Sequence, residues 1–226
     1  LVFAGYDVLS LANNHIMNYQ VPGLTSTLKE LKKAGIAVSG AGKNQDAAHS
    51  PTIIEAKGKR IAFHSYVDEK IAKYGMGIAK LNTPGVARMN IESVKNDVKN
   101  AKALADFVVV SMHSGTEYTR EPTQFQKDFA HAAIDAGASV VLGHHPHVIQ
   151  SVERYMDGVI FYSLGNFAFG QFFSEDVKTG LVARILFGEK GEVEYELYPA
   201  KIEKTVPRIL EGEERENILA KYGLSQ

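Results

Sequence analysis

Between Asp7 and Leu142, short aliphatic runs alternate with stretches that carry apolar residues at helical spacing, and this alternation restricts the chain to sheet strands covered by helices. A strand over residues 7–11 leads to a helix over 22–34, where Pro22 suits a first turn and Leu24, Leu28 and Leu31 share a face. Gly35 ends that helix, and residues 36–38 read as a short strand. A helical turn is expected at 45–49, then a hairpin of 51–56 and 60–66 around Lys57-Gly58-Lys59. Residues 67–88 read as a long surface loop marked by Gly75, Gly77, Pro84 and Gly85. Helices over 91–104 and 122–136 feed strands over 107–112 and 139–142.

The second half changes character. Strands over 148–154, 159–163, 181–187 and 193–199, joined by short turns, predict an antiparallel half, and the whole an α/β chain of two packed sheets with helices outside. Residues 1–205 read as one domain and 206–226 as a C-terminal tail, with a charged surface helix over 211–222. Leu1 to Gly5 reads as the last turn of a helix. A helix there normally follows a strand, so an N-terminal portion is expected to be missing from the sequence.

The carboxyl ends of three predicted strands carry the chemistry. Ser10-Leu11-Ala12-Asn13-Asn14-His15, Val110-Ser111-Met112-His113-Ser114-Gly115 and Leu142-Gly143-His144-His145-Pro146-His147 hold five of the eight histidines. Each follows a buried aliphatic run, so their rings are expected to gather on one sheet edge, where open α/β folds place ligands. The chain has no cysteine, which leaves His, Asp, Asn and Glu as metal donors and excludes a thiol nucleophile. Imidazole suits zinc, iron, manganese or nickel. In the last segment His145 with His147 is one possible ligand pair and His144 with His147 another. Asn14 offers an amide oxygen, and His15 a donor for a developing oxyanion or phosphate. A net charge of −1 with dispersed Lys and Arg gives no footprint for nucleic acid. No stretch approaches the length of a membrane span.

Five segments in order resemble the CapA family of bacterial capsule, or poly-γ-glutamate, synthesis proteins. They are Leu9 to His15, Gly40-Ala41-Gly42-Lys43-Asn44, Val110 to His113, Val141 to His147, and Phe161-Tyr162-Ser163-Leu164-Gly165-Asn166-Phe167. That family is similar in fold to calcineurin-like metallophosphoesterases, which implies a two-layer β-sandwich flanked by helices, here with its N-terminal strand missing. The resemblance implies Asn14 and His113 as metal ligands, two of His144, His145 and His147 as further ligands, and His15 as the group that polarises the leaving group or a phosphoryl oxygen. The family's carboxylate-bearing motifs have no match and are expected before Leu1. Asn18-Tyr19-Gln20 departs from the family's Asp and Tyr-Gly, and Ser114 stands where Trp is common. Glu117 is assigned a catalytic role, as a site-wall acid or a partner orienting a His, and Asn13 and Asn166 are assigned to the site wall.

The expected cofactors are two divalent ions (Mn, Fe, Zn or similar), which would activate a bridging water for hydrolysis of a phosphoester or related bond. The expected partners are a glutamate polymer or a phosphorylated small substrate, with membrane-bound capsule synthase subunits. The expected location is extracytoplasmic, with membrane attachment through the missing N-terminal segment. The alternative is a non-catalytic subunit or polymer-binding scaffold of a capsule synthesis or export complex.

Overall fold

The computed structural model describes residues 1–71 and 77–225; Gly75 of the predicted loop lies outside these. In chain order the strands are β1 (Val8–Ser10), β2 (Ala37–Ser39), β3 (Ala41–Gly42), β4 (Thr52–Ala56), β5 (Lys59–Val67), β6 (Gly85–Val86), β7 (Phe107–His113), β8 (Val140–His144), β9 (Val152–Tyr155), β10 (Gly158–Phe161), β11 (Thr179–Phe187), β12 (Val193–Glu203) and β13 (Val206–Ile209). The α-helices are α1 (Gln20–Lys33), α2 (Gln45–His49), α3 (Ile91–Lys102), α4 (Gln124–Asp135) and α5 (Gly212–Lys221).

Six strands form the central sheet in the order β4-β5-β7-β8-β10-β9. The four inner strands are parallel, and the edge strands β4 and β9 run antiparallel to their neighbours. Side-chain alternation divides β7 between two cores. Val108, Val110 and Met112 face α3 and α4, packing with Val94, Val98, Phe129 and Ala133. Val109 faces the other way, where Val140, Val159 and Phe161 meet Leu181 and Leu197 of the antiparallel sheet β11-β12-β13 and Leu219 of α5. With both faces covered, β7 reads as a continuous apolar run.

The helices begin where short polar side chains satisfy free N–H groups. Asn90 accepts from Ser93 N–H at the start of α3. Thr123 and Gln126 form a reciprocal capping box on α4. Gln126 is fully buried and also donates to Gln150 Oε1 and to the Tyr162 carbonyl, which ties α4 to the strand-end loops.

Three expectations need correction. The second half is not wholly antiparallel, because β10 pairs parallel with β8. Residues 145–155 carry the chain back along the sheet edge before the turn into β10, and a short turn reports only the direction of the two strands it joins. Residues 148–151 are not part of a strand; Ile149 makes a single bridge to Leu164, and β9 starts at Val152. The segment after β5 is not simply a surface loop, since Ala79, Val86 and Ala87 are buried. Val86 belongs to a third core with Leu11, Ala12, Leu24 and Val67, and this core seats the loop that follows β1.

Candidate functional site

The loops after β1, β7 and β8 meet at one edge of the molecule around a cavity of about 310 Å³. Ser10, Asn13, Asn14, His15, His113, His144, His147 and Phe169 line it. β7 and β8 are parallel neighbours with His113 opposite His144, so two of the three histidine segments are brought together by sheet register alone. The β1 loop reaches them from a separate two-stranded sheet. Its conformation is set by Asn13, whose side-chain oxygen accepts from both His15 N–H and Ile16 N–H.

Across the cavity His113 Nε2–H donates to Asn14 Oδ1 at 3.0 Å. The His145 ring is 5.1 Å from that of His113 and 6.1 Å from that of His147. His145 and His147 both hold positive φ angles, 101° and 62°, a conformation uncommon outside glycine and often found at functional sites. Gly143, just before them, cannot be larger: a Cβ there would lie 1.9 Å from the Tyr162 carbonyl oxygen. The glycine of this motif therefore lets β8 and β10 close on each other, and the histidine turn starts from that contact.

Three of the imidazoles, those of His113, His144 and His145, are biased toward the neutral state. Burial, with a smaller contribution from the neighbouring His144, His145, His147 and His15, holds His113 well below the usual histidine value. Burial also holds His144 at about 4. His145 is lowered by burial, against a smaller upward pull from Glu117. Its Nδ1 is buried with no hydrogen-bond partner. His15 is exposed at the rim, with Nδ1 3.2 Å from the Asn18 amide nitrogen.

The other assigned residues fall into place unevenly. His147 Nδ1 is 2.9 Å from Asn166 Oδ1, so the turn after β10 reaches the site. Glu117 is exposed and does not line the cavity; it stands close enough to His145 to act on it electrostatically. Phe169 and Tyr118 both stack on His147, with centroids 5.2 and 5.8 Å away.

The family model described as "Bacterial capsule synthesis protein PGA_cap" matches residues 1–171. The chain belongs to this CapA-type capsule synthesis family. It is 39% identical over 204 residues to the PGA biosynthesis protein CapA of Bacillus subtilis (strain 168), covering 89% of this chain and 52% of that protein. It is 36% identical over 209 residues to the capsule biosynthesis protein CapA of Bacillus anthracis, covering 91% and 50%. The chain thus spans about half the length of the curated relatives it matches. Among solved structures it resembles the NAD nucleotidase (NadN) of Haemophilus influenzae, with a TM-score of 0.55, 12% identity, and coverage of 96% of this chain and 45% of that one. The fold is that of the metallophosphoesterase-like nucleotidases, a helix-flanked pair of packed sheets.

The donors themselves decide how well this cavity fits a cation. Two ligand atoms on one ion at about 2.1 Å lie about 3 Å apart, so a cation would fit in place of the proton that His113 Nε2 shares with Asn14 Oδ1 at 3.0 Å. The imidazoles of His113 and His144, held toward the neutral form by burial, and the unpartnered His145 Nδ1 suit a divalent transition ion. Among the described residues, however, no three His, Asp or Glu side chains form a metal-holding group. The donors fit one side of an ion's coordination shell.

Sequence reasoning missed one buried acid beside the cavity, behind the residues that line it. Asp68, 8% exposed, follows β5; its N–H donates to the His113 carbonyl, and its carboxylate accepts from Ser114. It also raises His145 slightly against the effect of burial. The signal was present as an acid directly after an aromatic and aliphatic strand, the same position that the histidines occupy after β7 and β8.

Proposed function

We propose that this chain forms the hydrolytic module of a CapA-type capsule protein, a metal-dependent enzyme that cleaves a phosphoester or related bond during poly-γ-glutamate synthesis outside the cytoplasmic membrane. The observation that carries this reading is the 3.0 Å approach of Asn14 Oδ1 to His113 Nε2 in a cavity that His15, His144 and His147 also line. Asn14 and His113 would hold a divalent cation, with further nitrogens from His144, His145 and His147. Such ions, two in number and of the Mn, Fe or Zn type, would supply an activated water and neutralise phosphoryl charge. His15, exposed at the rim, donates toward the leaving-group oxygen, and Asn13 holds the loop that presents it. Glu117 acts on the site through His145, and Asn166 through His147. Bis(p-nitrophenyl) phosphate hydrolysis and elemental analysis, on protein purified without chelators or affinity metal, test the reading. The expected result is close to two equivalents of metal, with metal and turnover both lost in His113→Ala and in His147→Ala. Turnover retained in either variant overturns this mechanism.

A second reading is favoured by one observation: among the described residues the cavity lining contains no carboxylate. The module would then be a non-catalytic subunit that holds glutamate polymer or capsule synthase partners at the same edge. Absence of bound metal together with measurable affinity for polyglutamate would support it. Among the described residues no helix is long and apolar enough to cross a membrane, so membrane attachment belongs to the proposal.

A further inference from the structure

We infer that Asn166 is a positioning residue that fixes His147 as its Nδ1–H tautomer, leaving Nε2 as the lone-pair nitrogen of a ring that lines the cavity. This rests on the metal-dependent reading only for why a lone pair is wanted there; the assignment of the proton does not depend on it. Asn166 is 7% exposed. Its Nδ2 donates to the Val177 carbonyl oxygen at 2.9 Å. A main-chain carbonyl accepts and cannot donate, so the amide must turn its NH₂ toward Val177 and its oxygen away. That oxygen meets His147 Nδ1 at 2.9 Å. An amide oxygen also only accepts, so the proton in this contact sits on His147 Nδ1. In the neutral ring Nε2 is then unprotonated, the state needed to bind a cation or take a proton.

The rest of the surroundings hold the ring still. Asn166 lies beside the bridge that joins Gly165 to Gly180 at the start of β11, so its backbone is tied to the second sheet. Phe169 and Tyr118 stack on the imidazole at interplanar angles of 28° and 23°. Gln171 donates to the Tyr118 hydroxyl at 3.0 Å, which links the two aromatic residues through the same loop. Side chains that hold a ligating histidine by its other nitrogen commonly change metal affinity about 10–100-fold when removed. Asn166 has the geometry of such a group, although it reaches His147 from a turn nineteen residues further along the chain.

Long-range ¹H–¹⁵N correlation spectra of histidine-labelled, metal-free protein above pH 7 read the tautomer directly. The expected result is Nδ1–H for His147 in the wild type, a shift toward Nε2–H in Asn166→Ala, and retention of Nδ1–H in Asn166→Asp, whose carboxylate still accepts. Nε2–H in the wild type overturns the inference, and this reading needs no variant to fold. In parallel, Co²⁺ titration followed by visible absorption is expected to show about 10–100-fold weaker binding in Asn166→Ala. Unchanged Co²⁺ affinity in a variant whose tautomer has moved overturns the positioning role. Failure of the wild type to bind Co²⁺ would count against the metal-dependent function, while the spectra would still decide the tautomer.

Discussion

Asp176 joins three separate parts of the chain and gives the molecule a pH dependence that can be worked out in advance. Its carboxylate accepts from Arg120 Nη2 at 2.6 Å, Lys221 Nζ at 2.9 Å and the Tyr222 hydroxyl at 3.0 Å. Arg120 also lies over the Tyr222 ring, 4.8 Å from its centroid. The hub therefore ties the loop after β7 to α5, which covers the second core. Partial burial pushes the carboxyl up, but the hydrogen bonds from Lys221, Arg120 and Tyr222 outweigh it and hold the group at about 2, against an ordinary 3.8. A difference of that size is worth up to about 2.5 kcal/mol at neutral pH. With 30% of the side chain exposed, solvent screening reduces this to about 1–2 kcal/mol. Because the folded-state value is the lower one, the stabilisation is complete above the ordinary carboxyl value and is lost as pH falls from about 4 through about 2. Asp176→Asn should lower Tm at pH 7 by about 2–8 °C, at roughly 2–4 °C per kcal/mol for a domain of this size. Urea titrations of both proteins at pH 7, 5, 3.5 and 2.5 check the sign. A stability gap as wide at pH 2.5 as at pH 7 would refute the charge argument, and no gap at pH 7 would refute the hub.

Other substitutions probe independent features. Gly143→Ala forces a methyl group against the Tyr162 carbonyl and should cost about 3 kcal/mol by thermal unfolding, whereas Gly170→Ala, with nothing within 4 Å, should stay within about 0.5 kcal/mol of wild type. Equal effects would show that the β8–β10 contact can relax. Tyr66 is buried with its hydroxyl 2.8 Å from Asp97 Oδ2, an oxygen that also contacts His49 Nδ1 at 2.8 Å. Tyr66→Phe should cost about 1–2 kcal/mol in chemical denaturation, and a neutral result would mean that His49 alone satisfies the carboxylate.

The elements most legible in the sequence are those whose reason is local. The helix over 45–49 begins where Asn44 accepts from Ala47 N–H, and the hairpin of β4 and β5 turns at Lys57 and Gly58, both at positive φ. Each signal lies within a few residues of the structure it specifies. The direction of β10 is different in kind. It depends on how residues 145–155 return along the sheet, and no dipeptide in that stretch encodes which neighbour the next strand will find.

The site divides along the same line. The histidine segments were visible because a polar residue after a buried strand has few places to go, and parallel pairing of β7 with β8 sets His113 opposite His144 without further information. Asp68 obeys the same rule at the end of β5, but no histidine stands beside it, and Asp68-Glu69-Lys70 reads as an ordinary charged loop. The role of Asn166 lies beyond any local pattern. Gly165-Asn166 reads equally well as turn chemistry, and only the position of the Val177 carbonyl decides which way its amide faces. An Asn that merely shaped the turn could be replaced by Asp or Gly with little effect on His147. An Asn that sets the proton on that ring could be replaced by Asp but not by Gly, so the two substitutions separate a turn residue from a positioning one.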